Sequence, residues 1–239
     1  MSHHHAITAG IDLGDRYSHL CLLDTDNGEI LEESRIPTTQ KAFERRFSGS
    51  QTMRVAIETG THSPWVSRLL KGAGHEVLVA NARKVRLIYA QERKTDVIDA
   101  RKLARLARLD PQLLSPIEHR GEGSQAHLTL LRSRDALVGT RTKLVNHVRG
   151  AVKAFGARLP KCTAQSFHKK VTEDLPQELV PALGPVLETI ASLTAHIREY
   201  ERRLESIAED SYPETRLLRQ VHGVGALTAL AFVLTLEDP

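Results

Sequence analysis

Four acidic residues stand where chemistry could be done. Asp12 closes the apolar run Ile-Thr-Ala-Gly-Ile-Asp, Glu58 closes Arg-Val-Ala-Ile-Glu, and Asp96 and Asp99 lie three apart in Lys94-Thr-Asp-Val-Ile-Asp-Ala-Arg101. Ligands collect at strand C-terminal ends in α/β sheets, so acids at such ends can converge although they are far apart in sequence. Positions i and i+3 share one helix face, with Cβ atoms about 5–6 Å apart, so Asp96 and Asp99 can look into the same point. Four carboxylates brought together repel unless something neutralises them. Hard divalent cations such as Mg²⁺ do so, and two of them about 3.5–4 Å apart can activate a water or hydroxyl and stabilise the oxygen leaving a phosphodiester. Taken singly, each acid also has a plain structural reading: a turn cap at Asp12, a loop acid at Glu58, a first-turn helix residue at Asp96. The combination favours catalysis, with Lys94 and Arg101 beside the acids expected to meet phosphate rather than protein carboxylates.

The elements that must carry these residues follow from periodicity. Ile7 to Asp12, Tyr17 to Leu23 and Ile30 to Ile36 read as three strands in hairpin succession. Then come a helix from Thr39 to Phe47, a buried strand from Arg54 to Glu58, a helix after Pro64 stopped by Gly72 and Gly74, and a strand from Glu76 to Val79. Three antiparallel strands followed by helix–strand alternation predict a mixed sheet covered by helices, an α/β unit over residues 1–110. Val97, Ile98, Leu103, Leu106 and Leu109 continue as a helix, and Pro111 with Pro116 marks a boundary.

Beyond it, residues 120–211 read as a helical or coiled-coil region. Leu131, Val138, Val145 and Val152 recur every seven residues. After Pro185, Val186, Ile190, Leu193, Ile197, Tyr200, Leu204 and Ile207 alternate by four and three, the a/d spacing of a coiled-coil seam. An intrachain hairpin is the default partner for that seam. Residues 212–239, with Gly223 and Gly225 in Val-His-Gly-Val-Gly, suggest a helix-hairpin-helix whose glycines let backbone N–H groups approach phosphate; an ordinary glycine-containing helix connection is the other reading.

Composition bounds the function. The chain has 239 residues, 41% hydrophobic and 26% charged, a globular balance, with only 4% aromatics. The longest nearly apolar run, 226–236, falls short of the roughly 20 residues of a membrane span, and no leader opens the chain, so neither membrane nor export is expected. Two isolated cysteines fit a reducing cytoplasm without disulfides or structural zinc. The net charge of +4 conceals a division: residues 82–108 carry nine Lys/Arg against three acids, 119–161 nine against two, and 172–214 three Arg against ten acids. Such asymmetry suggests a polyanion partner, with Arg132, Arg141, Lys143 and Arg149 distributed round the first long helix. The Gly10-Ile-Asp-Leu-Gly14 run also occurs in the phosphate hairpin of actin-like ATPases and sugar kinases, but no second such domain or adenosine loop follows.

In order along the chain, Ala-Gly-Ile-Asp12-Leu-Gly, Ala-Ile-Glu58-Thr-Gly, Lys94-Thr-Asp96-Val-Ile-Asp99-Ala-Arg101 and Leu-Val-Asn146-His-Val-Arg149-Gly resemble the DEDD transposases of bacterial insertion sequences, whose N-terminal domain is similar to the RuvC junction nuclease. The resemblance implies a ribonuclease-H-like fold, with Asp12, Glu58, Asp96 and Asp99 as catalytic and metal-binding tetrad and Mg²⁺ as cofactor. It also implies DNA as substrate, a structured guide RNA as partner, and a helical region used to assemble a dimer or tetramer. In that family a later domain supplies a nucleophilic serine. The sequence ends at Pro239, so none of its serines is assigned that role and a truncated arrangement is expected. The alternatives are a non-catalytic nucleic-acid-binding remnant and a stand-alone RuvC-like junction endonuclease.

Overall fold

A computed structural model describes residues 5–84 and 96–236. The chain forms two compact units, Met1–His119 and Arg120–Pro239.

In the first unit, β1 (Ile7–Leu13), β2 (Tyr17–Asp24) and β3 (Ile30–Pro37) form an antiparallel meander, and β4 (Arg54–Glu58) and β5 (Glu76–Ala80) add in parallel on the other side of β1. The order β3-β2-β1-β4-β5 is that of a ribonuclease-H-like sheet. β1 is central because its alternate side chains must be buried on both faces, and Thr8 to Ile11 are all buried. Helices α1 (Gln40–Phe47) and α2 (Ser63–Gly72) cover one face. Their Phe43, Phe47, Val66 and Leu70 join Ala9, Ile11, Val55 and Ile57 in one core. Thr39 caps α1, accepting from the Ala42 N–H. The opposite face receives α3 (Asp96–Leu109), whose Leu103, Leu106 and Ala107 pack on Ala56 and Ala80. Its Ala100 and Ala104 pack on Cys21 and Leu23.

The second unit is built on two long helices, α4 (Glu122–Ala154) and α6 (Val180–Ser211). Between them lies the short α5 (Phe167–Lys170), and after them come α7 (Thr215–Leu218) and α8 (Ala226–Leu236). Arg134 of α4 meets Glu201 of α6, and Arg141 meets Thr194. Seven residues forward on one helix is seven back on the other, so the pair is antiparallel. α6 starts before the sequence-based boundary: Pro181 occupies its first turn and Pro185 lies inside it, with Leu183 and Leu187 held in the core on either side.

The buried rows also differ from the apolar pattern. α6 buries Leu187, Ile190, Thr194, Ile197, Leu204 and Ala208, whereas Val186, Leu193, Tyr200 and Ile207 are half-buried beside them. On α4 the alternate layers are Arg134 and Arg141, which a hydrophobic scan skips; Thr194 and Glu201 face them because they are polar partners. α6 falls within Gln177–Ser211, a stretch apolar and long enough to cross a membrane. Its Ile190 and Ile197 are nonetheless buried in the protein. At the far end, Leu230 and Leu234 of α8 pack with Leu128, Leu204 and Ala208.

Candidate metal centre

Where α3 crosses the sheet, Asp12 and Asp96 come together with His19, while Asp99 and Glu58 are near enough to act on the Asp12 carboxyl through their charge. A Cβ built on Gly10 would lie 2.1 Å from the Ala100 carbonyl oxygen and 2.4 Å from the Ala104 nitrogen. The absence of a side chain at Gly10 therefore lets α3 rest on the backbone of β1. Strand side chains alternate faces, so Asp12, two residues on, projects from this same face. Asp96 lies about one helical turn before Ala100 and Asp99 directly precedes it, so both stand at the end of α3 that the Gly10 contact seats on β1. Glu58 follows Ile57, the register partner of Ile11, and lies two residues beyond Ala56, which packs beneath α3.

The electrostatics agree with convergence. The Asp12 carboxyl is pushed up from 3.8 to about 6, first by burial and then by the charges of Asp96, Asp99 and Glu58. Among the described residues a cation stands beside the acids: Lys102, buried on α3, brings its Nζ to 4.0 Å from Asp99 Oδ1. A histidine joins the group. His19 is the cross-strand partner of Asp12, and its Nδ1 lies 3.7 Å from Asp96 Oδ2. Donor atoms of Asp12, His19 and Asp96 all fall within 4.8 Å of one another, a span that suits a metal ion. Carboxylate oxygens with one imidazole nitrogen fit a divalent cation, and the mutual repulsion at Asp12 gives a cation something to relieve.

The basic residues disperse. Lys94 lies outside the described residues. Arg101 corrects the sequence reading that it is left for phosphate: its Nε and Nη2 hold both carboxylate oxygens of Glu33 on β3, and the bond keeps the Glu33 carboxyl below its ordinary range. Arg141 is buried between α4 and α6, where burial lowers its pKa, so it offers no surface to a polyanion. Arg132 and Lys143 are exposed on α4. Arg149 donates to the Pro160 carbonyl at 3.1 Å and lies 5.0 Å over the Phe167 ring. It also borders a cavity of about 660 Å³ shared with Lys153, Arg158 and Lys161. Gly223 and Gly225 sit in the exposed turn before α8, Gly223 at φ +87°, a left-handed backbone that glycine adopts without strain.

Sequence reasoning missed His19 and Lys102. The signal for His19 was available in the hairpin, since pairing Leu13 with Ser18 across the turn puts His19 opposite Asp12.

Residues 9–156 match the profile of a transposase family, the DEDD transposases of IS110 type. The chain is 28% identical over 235 residues to the transposase for insertion sequence element IS1328 of Yersinia enterocolitica, covering 96% of this chain and 67% of that protein. It is 24% identical over 237 residues to the transposase for IS1111A of Coxiella burnetii, covering 96% of this chain and 63% of the relative. The chain thus spans about two thirds of the length of these relatives.

Proposed function

Because the chain belongs to the IS110-type DEDD transposase family, we propose that it acts on DNA phosphodiesters in transposition, with Mg²⁺ held by Asp12, Glu58, Asp96 and Asp99. The observation that carries this reading is geometric: donor atoms of Asp12 and Asp96, with His19, lie within 4.8 Å of one another, beside an Asp12 carboxyl raised to about 6 first by burial and then by Asp96, Asp99 and Glu58. A turn cap or loop acid would not gather that much like charge. The metal, when bound, would activate the attacking oxygen and stabilise the leaving one.

The remaining work falls to the chain. β1 and β4 hold Asp12 and Glu58 on strands, and the Gly10 contact sets α3 so that Asp96 and Asp99 are carried to them. Lys102 offsets part of the negative charge beside Asp99. Arg132, Lys143 and the cations around the α4 cavity are the surface for nucleic-acid backbone, either DNA or a structured guide RNA, and Gly223 and Gly225 offer a second backbone contact. Homo-oligomeric assembly, as a dimer or tetramer through the second unit, and a cytoplasmic place of action complete the reading.

The test is Mg²⁺-dependent nicking of branched and linear DNA by this chain beside Asp12→Asn and Asp96→Asn. Nicking that disappears in both variants while their circular dichroism stays native supports catalysis. Binding without cleavage points instead to a nucleic-acid-binding remnant, and cleavage restricted to junctions points to a stand-alone RuvC-like endonuclease. For the basic surface, affinity for RNA and DNA should fall steeply with salt; a flat response would remove the backbone contacts.

A further inference from the structure

We propose that His19 is a ligand of the metal ion held by Asp12 and Asp96, so that the site presents a mixed nitrogen–oxygen donor set and binds Mn²⁺ in preference to Mg²⁺. This rests on the reading that the acidic residues hold a divalent cation and adds to it a donor outside the tetrad.

Three observations place the imidazole there. His19 is the register partner of Asp12 on the neighbouring strand, and directly opposed residues project from the same face. Its Nδ1 is buried and has no hydrogen-bond partner among the described residues. The distance of 3.7 Å to Asp96 Oδ2 is too long for a hydrogen bond. A buried ring nitrogen facing two carboxylates without bonding to either is arranged as separate ligands around a common centre are arranged. The span is near that of a metal shell: the three donor atoms lie within 4.8 Å of one another, and small side-chain adjustments would bring them to the about 4.2 Å that separates opposite ligands of an octahedral ion. The His19 side chain is 20% exposed and that of Asp96 71%. Arg35, opposite His19 on β3, turns its guanidinium over the Tyr17 ring at 4.4 Å.

The donor type sets the metal. Mg²⁺ favours oxygen ligands and gives up its waters reluctantly, whereas imidazole suits first-row transition ions, whose affinity for such sites rises from Mn²⁺ through Co²⁺. Replacing the ring nitrogen by an amide should therefore weaken Mn²⁺ and Co²⁺ binding by about tenfold or more while changing Mg²⁺ binding little.

The direct test uses the chain with one equivalent of Mn²⁺ and reads nitrogen hyperfine coupling by electron spin echo modulation. The expected result is a coupling in the wild-type protein that is lost in His19→Gln, with the Mn²⁺ dissociation constant raised as above in a calorimetric titration. Mn²⁺ that binds and is released by Asp12→Asn, but shows no nitrogen coupling in the unmutated chain, overturns the role of His19 and leaves the acidic site standing. A coupling that persists in His19→Gln overturns it equally. Mn²⁺ binding indifferent to Asp12→Asn would overturn the acidic metal site, and this proposal with it.

Discussion

Gly10 and Ala100 meet backbone to backbone, with space for no atom between them: a Cβ at Gly10 would stand 2.1 Å from the Ala100 carbonyl oxygen. The contact sets the height of α3 over β1 and hence how far Asp96 and Asp99 lie from Asp12. Gly10→Ala must lift the helix, because the obstructing atoms are backbone and cannot rotate away. The expected cost is about 2–3 kcal/mol of stability by urea unfolding. Since the acids separate, the Asp12 carboxyl should return toward its ordinary pKa by NMR titration. A variant as stable as wild type with Asp12 unchanged would mean that the helix is not seated by this contact.

Asp12→Asn should damage function and strengthen the fold. With its carboxyl raised to about 6, the folded chain binds a proton more tightly than the unfolded chain, whose Asp titrates near 3.8. Its contribution is therefore fully present below about pH 4 and lost as pH rises through 6. At pH 7.5 without metal, the variant should be about 1–2 kcal/mol more stable than wild type, discounted because the group is only partly buried. The gap should close as pH falls below 4. Divalent metal should then stabilise the wild type and leave the variant unmoved, which thermal melts with and without Mg²⁺ would read. A variant less stable than wild type at pH 7.5 would show that Asp12 is a structural acid.

These two predictions draw on unequally legible parts of the sequence. The sheet was readable because Ile7 to Asp12, Tyr17 to Leu23 and Arg54 to Glu58 alternate or run apolar between turn residues, and Asp12 and Glu58 stood out as candidates because each is an acid at the end of such a run. His19 was not, since a histidine within Tyr-Ser-His-Leu-Cys passes for one more half-buried strand residue until pairing register is counted. Arg101 misled for a different reason: Glu33, 68 positions away in the chain, becomes its neighbour only once β3 and α3 are placed. The helix pair shows the same limit, because Arg134 and Arg141 fill core layers that an apolar pattern leaves blank.

Arg134 and Arg141 should respond oppositely to methionine. Arg141 is buried and bonds only the neutral Thr194, at 3.4 Å, among the described residues, while the Nε of both arginines has no partner among them. A buried charge so incompletely satisfied costs stability, so Arg141→Met should leave the protein unchanged or up to about 2 kcal/mol more stable. Arg134 bonds Glu201 and Asp135. Arg134→Met strands the partly buried Glu201 and should cost about 1–2 kcal/mol. Urea midpoints of the two variants check the signs; a loss at Arg141 as large as at Arg134 would mean that its cation is compensated.

Two half-buried rows make the last case. Leu130, Leu137, Leu144 and Ala151 on α4, and Val186, Leu193, Tyr200 and Ile207 on α6, recur every seven residues, and Leu144, Ala151, Val186, Leu193 and Ile207 each stand one position before a buried residue. In an antiparallel pair such rows fall on the same side by heptad geometry. The other side carries Asp135, Thr142 and Arg149 opposite Ala191, Arg198 and Glu205, which is largely polar. Leu130, Leu144, Ala151, Val186 and Ile207 already pack against cores of this chain, so a second copy using this side would meet chiefly Leu137, Leu193 and Tyr200. Leu137→Glu combined with Leu193→Glu should therefore lower the particle mass measured by light scattering to that of one chain and cost little stability. Ile197→Ala, inside the core, should instead cost about 2–4 kcal/mol. If the double variant keeps the wild-type mass, assembly does not use this side; if it unfolds like Ile197→Ala, the rows belong to the core of the single chain.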